Sequence, residues 1–256
     1  AAYEPPAYFD DDLFGLLDGP RPDWRWLIVG GARSGSAWHV DPNRTSAWNA
    51  TLRGRKRWLF FPPKVTPPGV RPSADGLDLL APLSLAEWAA AFYGEAREHP
   101  QFVDALTGPG DVVFVPRGWW HCVVNLDDFT VAVTHNFCSP RGLASTLGLL
   151  RDAPHLVSGL VRDERVDECD DRDEVARRAA LGSALHDRLV TALRRKRPDA
   201  LAAAEAELAA PKSLWARVTG ERAEAAPGGF SFGFGDEGAP PAKRPKATFS
   251  YLGDVL

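Results

Sequence analysis

The sequence predicts a mainly β fold, a barrel or sandwich of short strands, followed by an α-helical C-terminal region. Three observations predict it. Through residue 138 the chain falls into short apolar, aromatic and β-branched runs separated by Gly and Pro turns. A single helical pattern interrupts that series, which fits poorly with a strictly parallel α/β layering. Past residue 140 the grammar changes to helix, and Leu181, Leu185, Leu189 and Leu193 recur at every fourth position.

In chain order, residues 1–25 are rich in Pro, Asp and aromatic residues and read as a loop with a short helical turn near Asp11–Leu17. Trp26–Val29 is an apolar strand ended by Gly30-Gly31. Ser36–Asp41 reads as the next strand and stops at Pro42, which has no amide proton for a ladder. Ser46–Leu52 and Lys56–Phe61 follow, with Arg53-Gly54-Arg55 as the turn between them. Residues 64–82 are rich in proline and read as a loop. Ser84 is a fair N-cap for a helix to about Tyr93, with Glu87 as its capping-box partner. After Phe102–Leu106 a Gly108-Pro109-Gly110-Asp111 turn leads into the strand Val112–Val115, and Trp119–Asn125 and Thr130–Asn136 complete the strands. Gly142–Leu150 is a short helix, Asp173 caps a long one that Pro198 stops, and Ala200–Leu208 is a third. From Gly220 on, Gly, Pro, Ala and charge dominate, the composition of a flexible tail. The predicted division is a strand-built barrel domain over 1–142, a helical region over 143–218 and a tail over 219–256.

The 256 residues can bury one core, and 45% hydrophobic with 25% charged residues is ordinary for a globular chain. A net charge of −4 argues against coating by nucleic acid, and nine tryptophans demand a large core or pocket. Cys122, Cys138 and Cys169 are too few and too scattered for a disulfide framework or a thiolate zinc site. No apolar run is long enough for a transmembrane helix. The chain starts Ala-Ala-Tyr and contains no Met, so it reads as a fragment or processed chain whose N-terminal portion is missing.

His39-Val40-Asp41 is the first chemical signal. Positions i and i+2 of a strand share a face, so this pair can aim at one point. His121, just inside another strand, is a candidate third ligand. Two imidazoles and a carboxylate leave three positions of an octahedral ion open, which suits Fe(II) better than a structural metal. Spacing alone leaves open the alternative of interior histidines bonded to backbone carbonyls. His99, His155 and His186 read as surface or helix residues.

Several ordered blocks resemble the Jumonji C-domain oxygenases, and most of all their arginine-demethylase and lysyl-hydroxylase branch, once described as a phosphatidylserine receptor. They begin at Pro6-Ala7-Tyr8-Phe9-Asp10-Asp11-Asp12-Leu13-Phe14. Further blocks are Arg33-Ser34-Gly35-Ser36, His39-Val40-Asp41-Pro42, Thr45-Ser46-Ala47-Trp48-Asn49-Ala50 and Gly54-Arg55-Lys56-Arg57-Trp58. Pro109–Pro116, Gly118-Trp119-Trp120-His121, Asn125-Leu126-Asp127 and Thr134–Ser139 complete the set. The resemblance covers more than half of the chain and fades in the helices.

It implies a double-stranded β-helix (jelly roll, cupin-like) barrel and an Fe(II)- and 2-oxoglutarate-dependent dioxygenase consuming O2. It places the iron ligands on His39, Asp41 and His121. It places cosubstrate contacts on Lys56, Thr134, Asn49 and Ser36, the last standing where close relatives carry threonine. A lysine supplies the cation that the far carboxylate of 2-oxoglutarate needs, and strand alternation puts Lys56 on one face with Trp58 and Phe60. Only one of Trp119 and Trp120 can face the cavity. The implied chemistry is hydroxylation of protein lysyl side chains, demethylation of N-methyl-arginine, or both, on histone or RNA-processing proteins in the nucleus. A non-catalytic protein- or RNA-binding module is the rival reading.

The implied partner is a protein with a Lys/Arg-rich segment. The acidic Asp163–Glu174 run could face it or could be a solvated linker. Arg194-Arg195-Lys196-Arg197 and Lys243-Arg244-Pro245-Lys246 could touch RNA or direct nuclear import, and charge at a helix end explains the first equally well. The leucine stripe must be covered within the chain or by a second subunit, and the resemblance suggests a homodimer through the C-terminal helices.

Overall fold

The computed structural model describes residues 3–73, 79–82, 84–160 and 171–210. The segments 219–256 and 163–170, with the tail basic cluster and Cys169, lie outside the described residues. Among the described residues the strands are β1 (Arg25–Gly30), β2 (Gly35–His39), β3 (Ser46–Arg53), β4 (Lys56–Phe61), β5 (Arg71–Pro72), β6 (Leu79–Leu80), β7 (Val103–Thr107), β8 (Val112–Val115), β9 (Trp120–Asn125) and β10 (Thr130–Phe137). The α-helices are α1 (Leu85–Glu98), α2 (Leu143–Asp152), α3 (Asp171–Lys196) and α4 (Pro198–Ala209).

The strands form two four-stranded antiparallel sheets, β1-β10-β3-β8 and β2-β9-β4-β7, and the minor hairpin β5-β6. This corrects the barrel expectation. Each main sheet ends on free edges, β1 and β8 in one, β2 and β7 in the other, and no ladder closes either sheet. Helical residues also outnumber strand residues among those described, so the fold is mixed α and β rather than mainly β. Sequence periodicity assigns strands but not which edges pair, and both helices flanking the sheets run longer than their patterns. The hairpin β5-β6 falls where a plain loop is predicted.

The two sheets meet through side chains instead of hydrogen-bonded edges. Ala47, Val115, Trp58, Phe60 and Val123 pack between them, with Trp119 against their margin. Thr51 and Thr107 join the sheets through their hydroxyls at 3.2 Å. Alternation sends Leu59 and Phe61 to the opposite face, where Trp38, Trp120 and Cys122 pack with Trp88 of α1. Trp119 and Trp120 therefore do face opposite ways. The capping box of α1 forms as the sequence predicts: Ser84 Oγ accepts from Glu87 N, and Glu87 Oε2 accepts from Ser84 N, both at 3.1 Å.

The leucine stripe is covered within the chain. Leu185, Leu189 and Leu193 are buried with Leu13, Phe14, Leu143, Leu147, Leu150 and Leu201. The basic end of α3 is also engaged. Lys196 Nζ donates to the Leu16 carbonyl (2.8 Å), Arg195 pairs with Asp18, and Arg197 pairs with Asp11 (2.8 Å).

Candidate metal centre and cosubstrate face

Strand β2 stops at His39, two residues earlier than predicted. Asp41 instead precedes a 3-10 turn, Pro42–Arg44, so the pair does not converge by strand alternation. The turn swings the carboxylate back to the same place. His39 is the ladder partner of His121 across β2 and β9, and their rings lie 4.1 Å apart. One ligand atom from each of His39, Asp41 and His121 lies within 4.8 Å of the others. His121 Nε2 is 4.0 Å from Asp41 Oδ1.

The protonation pattern suits a cation. His39 Nδ1 donates to the Ala37 carbonyl (2.7 Å) and His121 Nδ1 donates to the Trp119 carbonyl (3.1 Å). A carbonyl only accepts, so Nδ1 carries a proton on each ring, which leaves Nε2 as the atom each ring can offer to a metal. Burial, reinforced by His39, pushes the His121 pKa down to about 3, against the opposing bond to Trp119. His121 is thus neutral in ordinary buffers. Burial raises the Asp41 carboxyl above the usual range, with His39 and the Asn136 amide acting in the opposite sense. Asp41 Oδ2 is buried with no hydrogen-bond partner. A carboxyl with an unpartnered buried oxygen, clustered with two imidazole Nε2 atoms, is what a divalent cation would satisfy, and the residues present fit Fe(II).

The space between the sheets continues this polar lining. Lys56 is only 3% exposed, burial lowers its pKa, and it makes no ion pair among the described residues. It shares an inward face with Trp58 and Phe60, and its ladder partners are Asn125 and Thr107. From the opposite sheet Asn49 and Thr134 are ladder partners. Asn49 Oδ1 and Asn125 Oδ1 are buried without partners. The Thr134 hydroxyl donates to the Trp48 carbonyl at 2.9 Å, which leaves it acceptor capacity. Ser36 pairs with Val123 in β9, on the ladder that carries His121. His99, His155 and His186 lie away from this space, and His135 packs at a tilt against Trp48, 4.3 Å between ring centres, on the outer face of its sheet.

Sequence reasoning missed the residues that hold the Asp41 turn. Asn43 and Arg44 both have positive φ, 57° and 54°, a conformation that costs roughly 1–2 kcal/mol per ordinary L-residue and less for Asn. Asn43 is buried and bonds the Ser158 backbone in both directions. Thr45 donates to the Pro42 carbonyl (2.7 Å) and accepts from Asn136 (3.0 Å). The Pro42-Asn43 step is a recognisable turn signal, but nothing in the sequence names Ser158 as its partner.

Paired antiparallel sheets with two histidines and an aspartate opening between them define a metal-binding domain of the cupin-like class. The comparison with family models agrees: the cupin-like domain model matches residues 8–142, more than half of the chain, and the chain belongs to that family. The arginine-specific demethylase JMJ22 of Arabidopsis thaliana is 46% identical over 167 residues, covering 64% of this chain and 33% of that protein. The bifunctional arginine demethylase and lysyl-hydroxylase psr-1 of Caenorhabditis elegans is 42% identical over 148 residues, covering 55% and 36%. The 2-oxoglutarate and iron-dependent oxygenase JMJD4 of Homo sapiens is 34% identical over 152 residues, covering 55% and 33%. The chain spans about a third of the length of these relatives. It carries a JmjC/cupin-like oxygenase domain related to theirs.

Proposed function

We propose that this chain is an Fe(II)- and 2-oxoglutarate-dependent dioxygenase that demethylates N-methyl-arginine or hydroxylates lysyl side chains in proteins. The observation that carries this is the cluster of His39, Asp41 and His121, in which Asp41 keeps a buried oxygen without a partner, in the same interior as a buried lysine with no counter-charge among the described residues. Either feature alone would destabilise an apolar core. Together they match the two ends of a metal-bound dicarboxylate.

His39, Asp41 and His121 would hold the iron through Nε2, a carboxylate oxygen and Nε2. When bound, the iron with 2-oxoglutarate and dioxygen supplies oxidation of an unactivated C–H bond, releasing succinate and carbon dioxide. The backbone bonds of both Nδ1 atoms fix the rings, so each imidazole offers its lone pair without reorganising. Lys56 would bind the far carboxylate of 2-oxoglutarate, and pairing would oppose the lowering of its pKa by burial. Asn49 lines the same space, and Thr134 would reach that carboxylate by turning its hydroxyl from Trp48. Ser36 would add a hydroxyl from β2. Trp58 and Phe60, stacked 5.8 Å apart beside His121, exclude water from that side.

Relatives named for arginine demethylation and lysyl hydroxylation support a Lys/Arg-rich protein segment as substrate. The Lys243-Arg244-Pro245-Lys246 cluster supports action in the nucleus. The test is mass spectrometry of peptides containing lysine or N-methyl-arginine after incubation with the protein, Fe(II), ascorbate and 2-oxoglutarate. Gain of one oxygen on lysine, or loss of a methyl group with formaldehyde formed, is expected together with succinate. Peptide binding with no succinate above the level of an Asp41→Ala control would favour a binding module instead.

A further inference from the structure

Asp41 has an unusual support. One of its carboxylate oxygens, Oδ2, is buried and accepts no hydrogen bond, and beside the Asn136 amide that acts on the carboxyl the aim of the side chain is set by its backbone. That backbone leaves β2 and enters a turn with two successive left-handed residues, Asn43 and Arg44. A turn of this kind holds only if its surroundings over-determine it.

The surroundings come from the helical region. Asn43 Nδ2 donates to the Ser158 carbonyl at 3.0 Å, and Ser158 N donates to Asn43 Oδ1 at 3.1 Å. The amide is 115 residues from its partner and is used at both ends. The next residue, Gly159, has φ +74° and lies so close to Asp23 that a Cβ would meet its nitrogen at 2.9 Å. Gly159 O also accepts from Asp23 N at 2.7 Å. From α2, Thr146 Oγ1 donates to the carbonyls of Asn43 and Arg44 at 3.4 and 3.3 Å. Upstream of Ser158, Pro154 is pressed against α3, where a Cβ on Gly182 would meet its carbonyl oxygen at 2.3 Å. A packed line therefore runs from α3 through the 154–159 segment to the turn that begins at Asp41.

We infer that Asn43 is the positioning residue for the Asp41 carboxylate, and that the helical region sets metal affinity through the Asn43–Ser158 pair. The inference rests on the metal-binding reading above. It makes the helices part of the centre's support, because the carboxylate is aimed by a turn that they hold from behind. Losing the amide lets the turn relax and the carboxylate swing, while both histidines stay fixed by their own backbone bonds.

The test measures Co(II) binding to the full chain by competition, with the visible absorption of bound Co(II) as a report on coordination geometry. Asn43→Gly keeps the left-handed backbone accessible and removes only the amide. It is expected to weaken Co(II) binding about 10–100-fold, the usual range for loss of a group that orients a ligand, and to change the Co(II) spectrum. Asn43→Asp keeps the acceptor for Ser158 N and loses the donor, and is expected to fall between wild type and Asn43→Gly. It carries the test alone if the glycine variant does not fold. Wild-type affinity and spectrum in a folded variant overturn the inference, as does a loss that only tracks the unfolded fraction. Wild-type protein that binds no Co(II) sinks the metal-centre reading itself, a result distinct from either.

Discussion

The space between the two sheets and the helical layer behind them are built on opposite rules. The helical layer is nearly all apolar: Leu185, Leu189 and Leu193 of α3 pack with Leu143, Leu147 and Leu150 of α2 and with Leu13 and Phe14. Among the described residues, the inter-sheet space buries Asp41 Oδ2, Asn49 Oδ1 and Asn125 Oδ1 without partners, and Lys56 without a counter-charge. Unmade hydrogen bonds and buried charge reduce stability, so the first region stabilises the protein and the second draws on that stability. Binding groups kept unpaired in a rigid frame are organised for a ligand in advance.

Four substitutions or conditions break or sharpen this contrast. The largest effect is expected for Asp41→Ala, which removes a ligand and should weaken Co(II) binding by more than about 100-fold, beyond the loss typical of an orienting group. Unfolding of the metal-free protein should occur at the same denaturant concentration or a higher one. Leu189→Ala should do the reverse. Removing its side chain from the helical core should cost about 2–5 kcal/mol in denaturant unfolding, while the protein that remains folded keeps its metal affinity.

Lys56→Met comes next. Replacing a buried unpaired ammonium by an apolar side chain of similar length should leave the metal-free protein equally stable or stabilise it by about 1–3 kcal/mol. The same change should weaken 2-oxoglutarate binding at least about 30-fold, read by calorimetry, since the far carboxylate loses its partner. The smallest effect is in the pH dependence of stability. Burial first, then Arg25 and Arg21, push the His135 pKa down to about 4, and His121 is pushed to about 3. The unfolded chain takes up these protons near pH 6.5 and the folded chain only below those values. Stability is therefore fully present above pH 6.5 and falls as the pH drops toward 4. His135→Gln should flatten that fall by about half in metal-free protein, and an unchanged slope would show that His135 is not held neutral.

Much of the strand series was legible because it depends on local signals. Lys56–Phe61 and Val112–Val115 are bounded by turns at both ends, and their observed limits coincide with the sequence prediction. The capping box at Ser84 and Glu87 marks the start of α1, but the helix runs beyond Tyr93 because tertiary packing of Ala96 carries it on. The barrel was not legible correctly, since pairing of sheet edges is decided by contacts distant in sequence. The same limit hid the Asp41 turn: strand alternation explains the convergence of His39 and Asp41 less well than a turn clamped by Ser158, 115 positions from Asn43. Lys56 could be placed on an inward face by its period-two neighbours, whereas the missing counter-charge around it is visible only in three dimensions.

The most direct test of the central claim is anaerobic addition of 2-oxoglutarate to the Fe(II)-loaded chain, followed by its metal-to-ligand charge-transfer absorption. The account predicts a band that needs both metal and 2-oxoglutarate, disappears in Asp41→Ala, and requires much more 2-oxoglutarate in Lys56→Met. A band that survives loss of Asp41, or 2-oxoglutarate binding equally tight without metal and without Lys56, would contradict it.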